Sequence, residues 1–584
     1  MDGWWDRYPE LFEAEISALE TSGWIWSKRD GELRKGRLVI DLVIEWGGKK
    51  LEFIATFPDS YPYFPPEVSL PDRQFKRHQN AWSMNLCLLA REGEDWQPGV
   101  DTLVNLVRDQ LPEIFESNDS ATKTDRVANI EDHVGEAFSS FLPCHPESAI
   151  IVPDETPSAD IDCGLLKLNI RTLPQDINAR PLINGAVRFI QDMGSRPIAT
   201  LNAPPGIFMR TIGGFWMRLS DPPQPAHAGN QDKFKKQMLE EIKKEIPEVK
   251  NALKKAKPGE ILVFGFVYQD EVRWREKSDD WFFLAMRVVR QARRSQPMHY
   301  QLELVKPDWG GEKAWMQRAP HLASLRERKA VVVGVGSLGA PLAINLAKAG
   351  IKELTVIDRD YLQVGNTIRW PLGWQYAGLL KVQAIRYYLQ SNHPYTKVEP
   401  LYLNIGVPHT TAEESDFTIL RRSAESSDII VDASASFRLN HFLSDLAAEL
   451  GKPYIWLTTT HGAAGGTVGR IVPGKTKGCW HCFQHALGSG TLPLPADSGG
   501  EDVQPGGCAQ STFIGAALDS DEVALLASRL TVATLSSQGR GGYPDFEWDV
   551  AVGDFWDGER KASLSPQWTT SILEAHGRCP RCSS

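Results

Sequence analysis

The sequence has no long apolar segment and no secretory leader. None of its 584 residues lie in a run of about 18 consecutive apolar side chains, the length that a membrane-spanning helix needs. The first residues, MDGWWDRYPELF, are acidic and aromatic, whereas a signal peptide begins with a basic segment followed by an apolar one. We therefore predict a cytoplasmic protein with no membrane partner.

An excess of positive charge is also missing. Lysine and arginine total 64, aspartate and glutamate total 74, and the formal net charge is −10. No long basic stripe offsets this charge locally, so the chain as a whole would repel a phosphate backbone. Direct binding of nucleic acid is therefore not expected.

Cysteine is scarce, with eight in the chain, and we expect a reducing cytoplasm to keep these thiols from forming disulfides. Four of the eight form two Cys-x-x-Cys pairs, Cys479 with Cys482 and Cys579 with Cys582. Each pair can place two thiolates on one tetrahedral ion, and all four together predict a closed, structural zinc site. The gap between the pairs is far longer than in a zinc finger, so four unrelated thiols are the alternative.

The length of the chain requires several hydrophobic cores, about three or four. Residues 1–147 combine a helical pattern, two strand-like runs joined by a GGK hairpin, and a second helical segment, which indicates an α+β domain. Residues 148–305 hold strand-like runs and one lysine-rich helical segment, and we predict a mixed α/β domain there. Its lysines alternate with glutamate at helical spacing, which favours a solvent-exposed face over a binding surface.

Residues 306–584 alternate strands with helices, as in AVVVGVG, PLAINLAKAG and ELTVID. This βαβ pattern is typical of a parallel, Rossmann-like sheet that is covered on both faces. The predicted fold class is therefore a multidomain protein with an α+β domain, a mixed α/β domain and a C-terminal α/β domain.

A glycine-rich turn follows the first strand of the C-terminal domain. Gly334, Gly336 and Gly339 permit a tight turn and a close approach of backbone to phosphate, which the N-terminus of the next helix attracts. Asp358 ends the second strand about 20 residues on, where a carboxylate binds ribose hydroxyls. These residues predict a nucleotide site, and a tight turn without ligand is the alternative.

Polar and cationic residues follow the glycine-rich turn at intervals. Asn366, Arg369 and Lys381 would supply one amide and two cations to a triphosphate, which suits displacement of pyrophosphate better than hydride transfer. Asp432 ends a later strand, where a carboxylate can hold Mg²⁺ or orient phosphates. Each residue alone is more often a surface residue; their order predicts the site.

The ordered motifs VVVGVGSLG, VIDRD, VGNTIRW, GLLKVQ and VDAS closely resemble the adenylation domain of E1 ubiquitin-activating enzymes, ThiF and MoeB, over residues 320–584. The resemblance implies a homodimeric domain that binds Mg·ATP and adenylates the C-terminal carboxylate of a small ubiquitin-like protein. It implies that Asp358 contacts ribose, that the amide and the two cations contact phosphates, and that Asp432 contacts the metal.

Two details of this resemblance are specific to the chain. Trp370 stands where the family often has glutamine, and the upstream arginine that the family uses is either Arg318 or Arg326. The family also carries two Cys-x-x-Cys pairs in the same arrangement, and there they hold structural zinc.

Cys508 lies in PGGCAQSTFIGA, after a Gly/Pro/Asp/Ser-rich stretch over 488–507 and before a predicted helix. A thiol in such a loop near a nucleotide site can reach an adenylate, and helix N-terminal N–H groups lower the pKa of a thiol. It resembles the catalytic cysteine of E1 enzymes, which attacks the acyl-adenylate and forms a thioester. A buried loop cysteine is the alternative.

The turn YPYFPPEV, the tripeptide HQN at 78–80, Cys87 and the tripeptide WQP at 96–98 resemble E2 ubiquitin-conjugating enzymes over residues 1–145. The resemblance implies that Cys87 carries a thioester which an amine attacks, and that the Asn80 amide stabilises the developing oxyanion. The middle glutamine of the tripeptide replaces the proline of the family.

An E2-like domain joined to an E1-like domain resembles the E1–E2 fusion enzymes of bacterial CBASS anti-phage operons, the CD-NTase-associated protein 2 family. That resemblance implies activation of the C-terminal tail of a cGAS-like CD-NTase, then transfer from Cys508 to Cys87 and to an amine of a target protein. The alternatives are a fusion enzyme of another ubiquitin-like operon, and a sulfur-carrier adenylyltransferase with an inert E2-like module. A nicotinamide oxidoreductase is disfavoured by the cationic residues.

Overall fold

The computed structural model describes residues 3–75, 77–88, 96–119, 137–171, 182–201, 204, 206–223, 230–273, 276–290, 299–408, 414–499, 514–536, 542–557 and 562–582. The chain divides into two compact units: residues 1–201 with 208–311, and residues 202–207 with 312–584. Within the described part, no helix is both long and apolar enough to cross a membrane. The predicted division into three domains stays a prediction.

The first unit begins with a four-stranded antiparallel meander and flanking helices. The strands pair in chain order and are β1 (Ile25–Lys28), β2 (Val39–Trp46), β3 (Lys49–Thr56) and β4 (Glu67–Ser69). The helices are α1 (Trp4–Arg7), α2 (Pro9–Thr21), α3 (Asp30–Leu33) and α4 (Leu103–Asp119).

Local sequence explains two features of this meander. The predicted hairpin is confirmed, because Gly47 and Gly48 join β2 to β3 with φ angles of 58° and 76°, the backbone that a tight hairpin turn demands. The helical pattern at the N-terminus is divided into α1 and α2, because Pro9 lacks an N–H and fits the first position of a new helix.

The rest of the first unit contains a ring of seven strands. Its strands follow one another in space as β5-β12-β11-β10-β9-β6-β7, the pairing of β7 with β5 closes the ring, and β8 pairs with β7 outside it. The eight strands are β5 (Ala149–Val152), β6 (Cys163–Ile170), β7 (Asn184–Asp192), β8 (Pro197–Thr200), β9 (Arg210–Arg218), β10 (Ile261–Arg273), β11 (Glu276–Arg290) and β12 (His299–Trp309). This closed barrel differs from the predicted mixed α/β domain.

The barrel is apolar on its inner face and, where helices cover it, on its outer face. Along β10, Val263 and Val267 belong to the inner core, whereas Phe264, Phe266 and Tyr268 belong to a second cluster on the opposite face. A strand that is buried on both faces reads as a continuous apolar run, so its sequence lacks the alternation that marks a strand.

Two helices cover that outer face, α5 (Gln231–Glu245) and α6 (Pro247–Lys255). The single lysine-rich helix of the prediction is broken because Pro247 begins a new helix. One of its lysines also departs from the predicted solvent-exposed face: the Lys235 Nζ lies 3.4 Å from a Glu303 oxygen and donates to the Leu302 carbonyl at 3.1 Å.

The second unit contains an eight-stranded sheet in the order β15-β14-β13-β16-β17-β18-β19-β20. The strands are β13 (Lys329–Val333), β14 (Glu353–Asp358), β15 (Lys397–Tyr402), β16 (Ile429–Asp432), β17 (Tyr454–Thr459), β18 (Gly465–Ile471), β19 (Val550–Asp557) and β20 (Ala562–Ser571). The helices are α7 (Glu312–Met316), α8 (Gly339–Lys348), α9 (Lys381–Asn392), α10 (Asp416–Glu425), α11 (Phe437–Leu450), α12 (Trp480–Gly488) and α13 (Ala517–Ser536).

Five neighbouring strands of this sheet, β15 to β17 in spatial order, are parallel, which confirms the predicted βαβ pattern. The other three extend it in antiparallel fashion, an extension that was not predicted. The chain leaves β13 for β14 on one side and reaches β16 on the other. A crevice forms at such a reversal of strand order, outside the carboxyl ends of the strands.

A buried carboxyl group links three elements of the E2-like part. Glu15 on α2 is 1% exposed and accepts hydrogen bonds from the Tyr61 hydroxyl and, at 3.1 Å, from the backbone N–H of Leu103 at the start of α4. Burial raises the pKa of Glu15 to about 7, although these two bonds oppose the shift. The group therefore ionises near neutral pH.

Raising the pH should destabilise the fold through Glu15. Because its pKa rises from 4.5 to about 7 on folding, its stabilising contribution is complete below pH 4.5 and is lost as the pH passes 7. A shift of this size corresponds to a change in the free energy of unfolding on the order of 3 kcal/mol. Thermal unfolding followed from about pH 5 to about pH 8 should show this loss in the wild type and a flatter pH dependence in Glu15→Gln.

Glu13→Gln is the matched control, because Glu13 lies exposed on the same helix. It should keep the pH dependence of the wild type. If Glu15→Gln and the wild type lose stability in parallel over this range, the carboxyl is not the titrating group.

Candidate functional site

The glycine-rich turn lies directly after β13, at the reversal of strand order. Gly334 has a φ of +86°, and a Cβ there would lie 2.7 Å from the Ala433 carbonyl oxygen. A Cβ on Gly339 would lie 1.8 Å from the Gly334 carbonyl oxygen, so helix α8 could not approach the turn. Around Gly336 the space is open, which leaves the backbone accessible to a phosphate.

The backbone of this turn is held by Asp358, the last residue of β14. One carboxylate oxygen accepts a hydrogen bond from the Val335 N–H, and the other from the Asp360 N–H, each at 2.8 Å. Asp358 therefore shapes the turn, a task that was not predicted. Its contact with ribose stays a prediction.

Trp370 also holds the turn, through the backbone carbonyl of Val335. Its buried indole Nε1 donates to the Val335 carbonyl at 2.8 Å. The residue that departs from the family pattern thus has a structural task. Next to it, burial lowers the pKa of Arg369, because a half-buried guanidinium loses hydration; a phosphate would restore the lost stabilisation of its charge.

The two other predicted phosphate contacts, Lys381 and Asn366, have partners among the described residues. Lys381 is the first residue of α9, and its Nζ lies 3.0 Å from a carboxylate oxygen of Asp360. Asn366 lies in the short 3₁₀ helix Val364–Ile368, where its Oδ1 accepts from the Gln363 N–H at 3.2 Å. Their contacts with phosphates stay predictions.

The upstream arginines differ in their surroundings. Arg326 forms an ion pair with Glu312 and donates to two backbone carbonyls, those of Gly350 and Tyr395, at 3.0 Å each. Arg318 is exposed. Arg326 thus holds three groups together, and the contact of either arginine with ATP stays a prediction.

Asp432 is completely buried at the end of β16. Its carboxylate accepts hydrogen bonds from the N–H and hydroxyl of Ser434, from the Asn440 amide at 2.8 Å and from the Tyr454 hydroxyl at 2.9 Å. Burial raises the pKa of Asp432 against these bonds. Direct contact with Mg²⁺ would require one of these donors to leave, so the predicted metal role stays a prediction.

The four cysteines of the two pairs lie together beside α12. All four Sγ atoms lie within 4.8 Å of one another, and the Cys479 Sγ is 3.8 Å from that of Cys482 and 3.5 Å from that of Cys579. A tetrahedral zinc ion with Zn–S bonds of about 2.3 Å separates its sulfurs by about 3.8 Å. The fourth member, Cys582, completes a set that fits zinc.

The surroundings of the cluster make the ionisation of its thiols dependent on a bound cation. The backbone N–H of His576 donates to the Cys482 Sγ at 3.3 Å, an outer contact of the kind that orients metal ligands. Without a cation, burial raises the pKa of Cys479 to about 11. A bound metal ion would supply the charge that keeps such thiols ionised.

Cys508 falls in residues 500–513, outside the described part of the chain. The residues on either side of that segment contact a common turn after β17. The Ser498 hydroxyl donates to the His461 carbonyl at 3.0 Å, and the Gly462 N–H donates to the Ile514 carbonyl at 2.9 Å. The role of Cys508 stays a prediction.

Cys87 lies on a short hairpin that also carries Asn80, the other catalytic residue predicted for this part of the chain. The Cys87 N–H donates to the His78 carbonyl and the Asn80 N–H to the Asn85 carbonyl, both at 2.8 Å, while Gln79 and Leu86 pair between them. Gln79 and Leu86 are buried, and Cys87 is exposed on the opposite face with the half-buried Asn80. Diagonal neighbours on one face of a hairpin lie about 7–8 Å apart, so the structure brings these two predicted residues together.

The Gln79 side chain holds the hairpin to the preceding segment. Its amide NH₂ donates to the carbonyls of Leu70, Arg73 and Met84 at 3.0–3.3 Å, and its oxygen accepts from the Phe75 N–H at 2.6 Å. A proline there could form none of these side-chain bonds. The only sign of this role in the sequence is a glutamine at the position where the family has proline.

The orientation of the Asn80 amide is fixed by its oxygen. Oδ1 accepts hydrogen bonds from the backbone N–H groups of Trp82 at 2.8 Å and Ser83 at 3.1 Å. The carbonyl end is thereby occupied, and the NH₂ end points away from it. A donor in this position suits a developing oxyanion.

Two families match separate parts of the chain. Residues 311–517 match the ThiF family, and residues 20–142 match prokaryotic E2 family B. The chain is 27% identical to "Uncharacterized protein y4oA" of Sinorhizobium fredii (strain NBRC 101917 / NGR234) over 99% of its own length and 97% of that protein.

Two further similarities each cover less than half of the chain. The "SAMP-activating enzyme E1" of Haloferax volcanii is 31% identical over 32% of this chain and 66% of its own length. The crystal structure of E. coli MccB with succinimide aligns with a TM-score of 0.33 and 19% identity, over 45% of this chain and 68% of that one. The chain thus combines a ThiF-type, E1-like segment with a prokaryotic E2-like segment.

Proposed function

We propose that this protein is an E1–E2 fusion enzyme that uses Mg·ATP to activate the C-terminal carboxylate of a protein and passes it to an amine. The observation that carries the proposal is the coexistence, in one chain, of a glycine-rich turn in a ThiF-type segment and of Cys87 beside an oriented Asn80 amide in an E2-like segment. An adenylating enzyme alone has no use for the second site.

The first step joins a carboxylate to the α-phosphate of ATP, with pyrophosphate as the leaving group. Lys381 and Arg369 would neutralise the charge that develops on the leaving phosphates, and the N-terminus of α8 would contribute its free N–H groups. Gly336 leaves room for the phosphate to meet the backbone. Mg²⁺ would balance phosphate charge, with Asp432 as its predicted ligand.

The acyl group then passes between two thiols. The Cys508 thiolate attacks the acyl-adenylate and releases AMP; the Cys87 thiolate attacks that thioester and releases Cys508. An amine of the target attacks the Cys87 thioester, loses a proton to solvent and releases the Cys87 thiolate. The Asn80 NH₂ would stabilise the oxyanion of that last step.

The substrate that we propose is the C-terminal tail of a cGAS-like CD-NTase, in bacterial anti-phage defence of the CBASS type. The support is the order of the two domains in one chain, and a ubiquitin-like protein in another operon is the second candidate. The similarity of about a third of the chain to a SAMP-activating enzyme E1 supports a protein substrate of either kind. A homodimer in the cytoplasm also stays part of the proposal.

Substitution of a proposed phosphate ligand should weaken ATP binding. Lys381→Ala and Arg369→Ala are each expected to raise the Kd for Mg·ATP about 10- to 100-fold, because each removes a cation from the triphosphate. Titration calorimetry on the full chain measures the change. Lys397→Ala is the control, since Lys397 is an exposed lysine on β15, and an unchanged Kd in both site variants would contradict the assignment.

The two proposed thioesters should appear in order. With ATP and a purified CD-NTase or ubiquitin-like protein as substrate, Cys87→Ala should retain a band sensitive to reducing agent and form no product, whereas Cys508→Ala should form neither. Gels run with and without reducing agent separate these outcomes, because a thiol cleaves a thioester and leaves an amide product intact. Product from Cys87→Ala would favour a sulfur-carrier adenylyltransferase whose E2-like module is inert.

The cysteine cluster should hold zinc with a structural task. Metal analysis of the purified chain should give about one zinc per chain, and Cys482→Ser should remove the ion and lower the melting temperature, because the closed site joins two distant segments. Cys144→Ser, which alters a cysteine outside the cluster, should retain both the zinc and the stability. A zinc-free wild type that keeps full stability would refute the assignment.

A further inference from the structure

The tip of the hairpin that carries Cys87 is buried against the barrel. Trp82 is only 6% exposed, and its ring centroid lies 5.0 Å from that of Phe234 on α5 and 5.8 Å from that of Phe138. The Phe282 ring of β11 lies within 6 Å of both phenylalanines, at 5.8 and 5.9 Å. A large aromatic side chain at a hairpin tip therefore fills an aromatic pocket on the outer face of the barrel.

The fit of Trp82 depends on apolar contact. Its indole Nε1 is buried and has no acceptor among the described residues. A phenylalanine would keep most of the ring contact and leave no donor unsatisfied, whereas an alanine would vacate the pocket. The two substitutions therefore separate the contact itself from the presence of a tryptophan.

A second contact with the barrel precedes the hairpin. The Arg77 guanidinium forms an ion pair with Glu271, near the end of β10, and both side chains are largely buried, with exposures of 13% and 20%. The preceding residue of β10, Asp270, accepts a hydrogen bond from the Phe138 N–H at 2.7 Å. Two successive carboxylates of the barrel thus hold the two segments that flank the Trp82 pocket.

Near Arg77 and Trp82 the hairpin backbone adopts conformations that cost free energy. His78 and Met84 both have a φ of 59°, a region that residues other than glycine rarely adopt. Such a conformation persists only where the surroundings over-determine it. The Trp82 contact, the Arg77 ion pair and the Gln79 hydrogen bonds supply those surroundings.

We propose that the barrel is a positioning element for acyl transfer at Cys87, with Trp82 and the Arg77–Glu271 ion pair as its positioning residues. This inference rests on the proposed function, in which Cys87 carries the acyl group. The backbone N–H of Trp82 binds the Asn80 oxygen, so the burial of Trp82 fixes the direction of the Asn80 NH₂. The barrel thereby orders a hairpin that would not keep this conformation alone.

The step that depends on this ordering is the attack of the amine. There the new N–C bond forms as the C–S bond breaks, the amine loses a proton to solvent, and the electron pair leaves on the Cys87 sulfur. Formation of the thioester at Cys87 uses a thiolate nucleophile, which is intrinsically more reactive and needs less help. Loss of the barrel contacts should therefore slow discharge of the thioester more than its formation.

The kinetic test compares formation and discharge of the Cys87 thioester in single turnovers, with free lysine as the amine. Trp82→Ala and Glu271→Arg should slow discharge about 10- to 100-fold, as small misplacements of catalytic groups do, while formation changes less than about threefold. Trp82→Phe should approach the wild type. Arg77→Glu combined with Glu271→Arg should restore much of the rate by reversing the ion pair.

Hydrogen exchange of the same full-length variants tests the anchoring without any reaction. The amides of Asn80, Met84 and Cys87 are bonded within the hairpin, and they should exchange roughly tenfold faster in Trp82→Ala and Glu271→Arg. Asp41→Asn is the control, because Asp41 lies on β2 and pairs with Arg29, whereas the hairpin bonds to β4, at an edge of the meander, through the Leu86 N–H and the Val68 carbonyl. It should leave both exchange and discharge unchanged.

Each failure has a distinct signature. Unchanged exchange in both Trp82→Ala and Glu271→Arg overturns the anchoring, whatever the chemistry of Cys87. Faster exchange with an unchanged discharge rate overturns the positioning role. Product formation by Cys87→Ala overturns the proposed function, and with it the acyl-transfer part of this inference, while the exchange data still judge the anchoring.

Discussion

Both backbone polar atoms of Val335 are bound by side chains from other elements, and the candidate nucleotide site depends on these two bonds. Asp358 takes the N–H and Trp370 takes the carbonyl, each at 2.8 Å. The glycines of this turn have no side chains with which to fix its path. The neighbouring strand end and the 3₁₀ segment therefore supply the rigidity that the glycines remove.

The Cys87 hairpin solves the same problem with amides. Gln79 binds three carbonyls and one N–H, and Asn80 binds two N–H groups. In both places a side chain satisfies backbone groups that no regular ladder reaches. The backbone of the glycine-rich turn in one place and that of the Cys87 hairpin in the other thereby gain a fixed path.

Sequence patterns predicted the parallel sheet, the glycine-rich turn and the four-cysteine cluster because each depends on local order along the chain. Strand β11 escaped prediction, since WFFLAMRVV is apolar at every position except Arg287 and carries no period of two. The lysine-rich segment keeps its helical periodicity across Pro247, so its pattern predicts one helix where the structure has two.

Partners of single side chains were the least predictable part of the site. Asp432 was expected to face a metal ion, but whether a strand-end carboxylate turns outwards or towards Asn440 and Tyr454 depends on residues that fold in from elsewhere. Trp82 gave no signal either, because its pocket is built from residues about 55 to 200 positions away in the sequence.

The closure of the barrel has a consequence for the order in which the chain matures on the ribosome. Strand β5 directly follows the E2-like part, yet it pairs with β12, whose residues Lys306–Trp309 are synthesised last among the barrel strands. Long-range pairings of this kind form late, and domains generally fold as their residues emerge. The hairpin that carries Cys87 is therefore synthesised early but acquires its final surroundings only after translation has passed the barrel, so a truncated nascent chain would lack the pocket that receives Trp82.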